Sequence, residues 1–244
     1  MHINNWYYTG DKHQNFESIK KWYKPEMIDN TAIIYGGDGS LNVYFDKKEN
    51  SIKQYLNNMH IYHYFVRGNH DMRPQDIDSM VITYDDNVGN LVYKEHKYPY
   101  IRYLMDGEVY IINGYKTLII GGAYSVDKEY RLTTKLPWFK NEQLSNEERT
   151  IIENNVKNKH FDIIITHTCP IQWQPTTLFI SSIDQSKVDD SMERWLGYIE
   201  YITTYNLWLC GHYHDDRILA KKCEMFYNKI EKIDNIYNRW NENK

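Results

Sequence analysis

Five short apolar runs in this chain each stop at a glycine or polar residue, and side chains able to bind metals follow within a few positions. The run over 5–9 leads to Gly10-Asp11-Lys12-His13, and Ala32-Ile33-Ile34-Tyr35 leads to Gly36-Gly37-Asp38-Gly39. The run over 61–66 leads to Gly68-Asn69-His70-Asp71, 162–165 to Thr166-His167-Thr168, and 207–210 to Gly211-His212-Tyr213-His214. Short β-branched or aromatic runs closed in this way read as buried strands. Between them the pattern turns helical over 16–23, 47–59, 145–156 and 190–203. Strand alternating with helix predicts an α/β fold, whose functional loops gather at the carboxyl ends of the strands. Residues far apart in sequence would then meet at one edge.

Asp11, His13, Asp38, Asn69, His167, His212 and His214 form a set of carboxylates, imidazoles and one amide, enough to hold two metal ions side by side. Such a mixed nitrogen and oxygen set suits Mn, Fe, Zn or Ni rather than a thiolate zinc site. Cys169, two residues past His167, is softer than the rest and is left out of the set. Taken singly, Asp11 or Asp38 reads as a helix cap, the Asn69 motif as a turn, and His212 and His214 as surface histidines. The order and completeness of the set favour metal binding. His2, His60, His63, His96 and His160 lie outside the motifs and are expected to be structural or solvent-exposed.

With 244 residues, 41% of them hydrophobic, the chain can bury a sizeable core as one domain over 1–244. Tyr occurs 23 times and is expected to fill much of the half-buried surface. The formal net charge of −4 argues against a protein that tracks long nucleic acid, whose binding rests on many phosphate contacts. Cys169, Cys210 and Cys223 show no C-x-x-C spacing, which predicts reduced thiols and a cytoplasmic protein. The N-terminus carries no signal-peptide pattern, and no apolar stretch is long enough to span a membrane.

The middle of the chain changes character. Segments 100–104, 108–113 and 116–121 read as successive strands, with turns at Asp106-Gly107 and Asn113-Gly114, and 217–220 and 224–227 read as two more. A second sheet packed on the first is expected. Whether two long segments, 72–101 and 170–188, close over a substrate is left open by the sequence, and the polar residues 238–244 are expected to fray.

In order and spacing, the five motifs resemble the calcineurin-like metallophosphoesterases, whose pattern runs D-x-H, G-D, G-N-H-D/E, a lone His, then G-H-x-H. The likeness spans Asp11 to His214. It is nearest to small stand-alone bacterial and bacteriophage members, which share stretches like Gly121-Gly122-Ala123-Tyr124-Ser125-Val126-Asp127 and Thr166-His167-Thr168-Cys169-Pro170. The resemblance implies a four-layer α/β/β/α sandwich with two packed mixed sheets, and phosphoester hydrolysis with two divalent metal ions. By the family pattern, Asp11, His13, Asp38 and His214 would hold one ion, and Asp38, Asn69, His167 and His212 the other, with Asp38 bridging. A hydroxide shared by the ions would attack phosphorus. His70 would assist the leaving group, with Asp71 a candidate to orient it.

Two family patterns are missing. Gly39-Ser40-Leu41-Asn42 lacks the arginine that phosphoprotein phosphatases carry in G-D-x-V-D-R-G, and the G-D-x-x-D of break-repair nucleases is absent. A small phosphodiester or nucleotide substrate is therefore favoured. The alternatives are a phosphomonoesterase or protein phosphatase, and a non-catalytic metal-binding scaffold of the same fold. Arg67, Arg73, Lys128 and Arg131 are candidate phosphate contacts. Trp173, Trp138 and Tyr213 are candidate platforms for a base.

Overall fold

Alternation of side chains along the central strands decides the layering. The computed structural model describes residues 3–241. In chain order the first elements are β1 (Asn5–Thr9), α1 (Glu17–Trp22), β2 (Thr31–Tyr35), α2 (Lys47–Asn57) and β3 (Tyr62–Phe65). There follow β4 (Met80–Asp85), β5 (Asn90–Glu95), β6 (Ile101–Tyr103), β7 (Val109–Ile112), β8 (Tyr115–Ile120) and α3 (Lys128–Thr134). The rest are α4 (Asn146–Val156), β9 (His160–Thr166), α5 (Ser191–Ile202), β10 (Thr204–Cys210), β11 (Arg217–Ala220), β12 (Cys223–Met225), β13 (Glu231–Lys232) and α6 (Ile233–Asn241).

The first sheet has the order β13-β1-β2-β3-β6-β5-β4 and the second β11-β12-β10-β9-β8-β7. In each, four parallel strands are flanked by antiparallel ones, so both sheets are mixed. Ala32 and Ile34 pack with Ile163, Ile165, Leu207 and Leu209 in the core between the sheets. Their neighbours Ile33 and Tyr35 pack outward with Phe16, Ile19 and Leu56, under α1 and α2. On the other side Ile164 and Trp208 pack with Ile152, Val156, Leu196 and Ile199, under α4 and α5. The period of two along each strand therefore gives four layers, helix, sheet, sheet, helix. Local signals start the outer helices. Asp46 accepts from Glu49 N to cap α2, and Ser145 with Glu148 forms a capping box on α4. Among the described residues no helix is long and apolar enough to cross a membrane.

Several expectations change. Segment 100–104 belongs to the first sheet, where β6 runs parallel to β3, and the second sheet begins only at β7. Much of 72–101 is an edge hairpin, β4 with β5. Tyrosine fills the core itself: Tyr8, Tyr35, Tyr64, Tyr98 and Tyr110 are fully buried. Most of their hydroxyls are bonded, Tyr35 to His63 Nδ1 at 2.9 Å and Tyr110 to the Leu91 carbonyl at 2.9 Å. Residues 238–241 do not fray but complete α6, where Arg239 pairs with Glu224 and Trp240 Nε1 donates to the same carboxylate at 2.6 Å. Residues 242–244 and His2 lie outside the described residues.

A buried ion pair ties the two sheets beside their carboxyl edges. Arg67, just past β3, donates from Nε to Asp106 Oδ2 at 2.9 Å, and Asp106 Oδ1 accepts from Gly121 N, just past β8, at 2.6 Å. The Arg67 carbonyl accepts from Gly122 N at 2.8 Å, and its Nη1 donates to the Glu142 carbonyl at 2.6 Å. Asp106→Ala strands the buried guanidinium and should cost about 3–5 kcal/mol in urea-induced unfolding. A loss below about 1 kcal/mol would show that Arg67 does not depend on this partner.

Candidate metal centre

The loops after β1, β2 and β3 of the first sheet and after β9 and β10 of the second converge where the two sets of carboxyl ends abut. Backbone bonds stitch them together. Lys12 N and His13 N donate to the Asp38 carbonyl at 3.1 and 2.8 Å, and Gly211 N donates to the His167 carbonyl at 2.8 Å. His167 Nδ1 meets the Gly36 carbonyl at 2.8 Å, joining the sheets across the seam. That bond places one proton on Nδ1 and turns Nε2 toward the cluster, where it would become a ligand atom on losing its own proton.

The predicted ligand residues come together. His13 Nε2 and His214 Nε2 are 2.8 Å apart, and both face Asp11 Oδ2, at 3.8 and 3.4 Å. Asp38 Oδ2 is 3.8 Å from His13 Nε2 and 3.5 Å from His167 Nε2, so one oxygen faces both halves of the cluster. Its Oδ1 is held by His70 N at 2.8 Å. Asn69 Oδ1 lies 2.9 Å from His167 Nε2, and the His212 ring lies 5.0 Å from that of His167. Two groups of donor atoms, from Asp11, His13 and His214 and from Asp11, Asp38 and His167, each lie within 4.8 Å of one another.

These residues fit metal ions. Asp11 Oδ2 is buried with no hydrogen-bond partner, an orphaned acceptor aimed into the cluster. Burial alone would raise Asp38, yet His167, His70 and His13 hold it well below the usual carboxylate range. Burial would likewise lower His167, but Asp38 and Asp11 carry it up to about 9. Burial, with His167 beside it, pushes His212 down to about 3, so that ring is neutral with a free lone pair. The proton on His167 thus supplies the positive charge that the paired carboxylates demand.

Tight backbone makes the convergence possible. His13, Asp38, His212 and His214 all have positive φ, between 44° and 72°. Non-glycine residues rarely take that conformation, and four in one cluster mark a strained site. Gly37, at φ 113°, passes so close to His167 that a Cβ would sit 2.0 Å from Nδ1, and one on Gly68 would sit 1.9 Å from Asp38 Oδ1.

The other expected residues divide. His70 lies against the cluster, its ring 5.6 Å from that of His13, with Nε2 3.2 Å from Asn69 Nδ2 and 3.4 Å from Arg131 Nη2. Asp71 does not orient that ring. Its two oxygens accept from Ser40 N at 2.7 Å and Gly68 N at 2.8 Å, bracing the loops after β2 and β3. Arg67 is buried on Asp106, with only its Nη2 unpartnered, and Arg73 is held by Glu148 and the Asn141 and Gln143 carbonyls, so both are committed to the frame rather than to a phosphate. Trp173 packs edge-on against Trp208 and Tyr205 in the outer core rather than on the wall of the adjoining cavity, which removes it as a base platform. Lys128 lies over the Trp138 ring at 4.4 Å. His63 is buried on Tyr35, while His60, His96 and His160 are exposed.

Three residues given no role by the sequence reading support the site. Ser125 Oγ accepts from Asn69 Nδ2 at 2.9 Å and donates to Glu142 Oε2 at 2.5 Å, which turns Asn69 Oδ1 toward His167. Asp127 holds Arg131 beside His70 through a 2.7 Å bond to Nε. Ser125 and Asp127 belong to the 121–127 stretch, whose polar residues after a strand were the available signal; Glu142 carried none.

No curated protein matches the chain significantly. A family model, calcineurin-like phosphoesterase, matches residues 7–216 and so takes in every converging motif. The chain belongs to the calcineurin-like phosphoesterases and is a metal-dependent phosphoesterase.

Proposed function

We propose that this chain is a binuclear phosphodiesterase acting on small substrates, a nucleotide ester among them, with His70 assisting the leaving group. Asp11, His13, Asp38 and His214 would hold one ion and Asp38, Asn69, His167 and His212 the second, with Asp38 facing both. When bound, divalent ions supply the charge that polarises a phosphoryl group and acidifies water. Asn69 contributes a neutral oxygen, which limits the negative charge an incoming phosphate meets. Asn69 and Arg131 both present N–H groups to His70 Nε2, so in the neutral ring that nitrogen accepts and the proton sits on Nδ1. To give a proton to the departing oxygen the ring would first take up a second one, as imidazolium. Arg131 remains positioned to contact a bound phosphate.

The observation that carries the diester reading is the scarcity of free cations. Arg67 and Arg73 are tied up in ion pairs, Arg131, the cation beside His70, is shared with Asp127, and Lys128 is turned onto the Trp138 ring. With so few cations beside the metals, selection for the second charge of a monoester dianion is weak, and a diester, which carries one charge, needs less cationic help. The adjoining cavity of about 460 Å³ fits a small molecule rather than a duplex. The three cysteines are free and buried, which supports a reducing, cytoplasmic setting.

The metal-loaded protein should show a higher kcat/KM on bis-p-nitrophenyl phosphate than on p-nitrophenyl phosphate. A strong preference for monoesters or phosphopeptides would replace this reading with a phosphatase. His70→Asn should keep its metals and lose roughly 10²–10⁴-fold in turnover on alkyl diesters. The loss should shrink for p-nitrophenol, which leaves without a proton. An equal loss on good and poor leaving groups would remove His70 as proton donor.

A further inference from the structure

Beyond the metal cluster, the cavity opens between the loop ahead of α3 and the segment that leads into α5. Leu178, Phe179, Ile183 and Val188 give it an apolar side, and Tyr124 and Tyr213 add aromatic rings. The Phe179 and Tyr213 rings stack at 6.3 Å, inclined by 21°. The charged side chains on its wall, apart from those of the metal cluster, are all acidic: Asp127, Asp189, Asp190 and Glu193. Among the described residues no lysine or arginine lines it. Such a wall repels a second phosphate and favours an apolar, planar group.

Glu193 is the feature that metal chemistry does not require. It is 3% exposed, and its Oε1 accepts from Thr168 Oγ1 at 2.8 Å. Its Oε2 is buried without a hydrogen-bond partner although the residue lines the cavity. The other acids are better matched. Asp190 pairs with Arg194 at 2.7 Å, and Asp189 accepts from Ser191 N and Gln143 Nε2, both at 3.0 Å. Asp127 pairs with Arg131, though its Oδ1 also lacks a partner. Burial pushes the Glu193 carboxyl up to about 7, as expected of an acid short of donors. An unsatisfied buried acceptor is costly to keep, and a ligand N–H would remove that cost once the carboxylate turns Oε2, which is closed to solvent as it stands, toward the cavity.

We propose that this cavity binds the substrate's non-reacting group and that Glu193 selects there a planar, largely apolar group bearing an N–H donor and no second phosphate. The inference deepens the phosphodiesterase reading and rests on it. Three methyl benzyl phosphodiesters, bearing a para carboxamide, methyl or phosphonate group, separate the possibilities by calorimetric binding to the Mn²⁺-loaded protein at a pH well above 7, where the Glu193 carboxyl is ionised. The carboxamide ester should bind about 10-fold or more tighter than the methyl ester, the value of a hydrogen bond to a charged acceptor, and the phosphonate ester weakest. In Glu193→Met the carboxamide advantage should vanish and phosphonate binding should improve. If that variant does not fold, Glu193→Gln is scored instead, with a reduced advantage expected because the acceptor loses its charge. Equal binding of carboxamide and methyl esters to the wild type, or an unchanged ratio in the variant, overturns the proposal. Turnover of bis-p-nitrophenyl phosphate is followed in the same samples. Absent turnover with the binding preference intact contradicts the phosphodiesterase reading alone, and turnover without the preference contradicts the pocket assignment alone.

Discussion

Asp11 and Asp38 are buried together, with His167, within 4.8 Å of shared contact. At an effective dielectric of about 20, two negative charges at that separation repel by roughly 3 kcal/mol, before the cost of removing them from water. Positive charge must therefore sit between them, as a proton on His167 or as metal ions. The rest of the site serves this demand. Both sheets deliver their carboxyl edges to it, His13, His167 and His214 turn their Nε2 atoms inward, and backbone amides of His70 and His212 bind the outward carboxylate oxygens.

Holding so many donors together strains the chain, and the scaffold around the seam resists that strain. Four candidate ligand residues in the left-handed region would each relax in an isolated peptide. Here they are fixed by bonds between loops of different sheets, notably His167 to Gly36, and by the Arg67–Asp106 pair beside them. Arg67 illustrates how a cation next to a motif can serve the frame rather than the substrate. It stands in the loop that carries Asn69, and its side chain points back into the seam between the sheets.

Much of this was legible in the sequence where one residue type has one use. Strands β1, β2, β3, β9 and β10 announced themselves as β-branched or aromatic runs, and the motifs behind them named residues that the fold brings together. The division of those strands between two sheets was not legible, because a parallel strand buried on both faces reads alike in either sheet. Helix α3 has no buried residue and so left no apolar stripe, and the β4–β5 hairpin, exposed along its edge, gave mixed alternation. Helix α6 did carry an i, i+3, i+4, i+7 stripe in Ile233, Ile236, Tyr237 and Trp240, overlooked among polar neighbours. Second-layer contacts were out of reach: that Ser125 turns Asn69, or that Asp71 grips two backbone amides instead of His70, depends on loop paths that no spacing encodes.

We propose that the seam holds two metal ions and that a proton on His167 carries the positive charge until metal arrives. Calorimetric titration of Mn²⁺ into the metal-stripped chain near neutral pH, in two buffers of different ionisation enthalpy, tests it directly. His167 holds its proton up to about 9, and Nε2 must lose it to ligate, so binding should release protons and weaken as pH falls. The expected result is two ions per chain with net proton release to the buffer. One ion or none, or binding with no proton released, would contradict it.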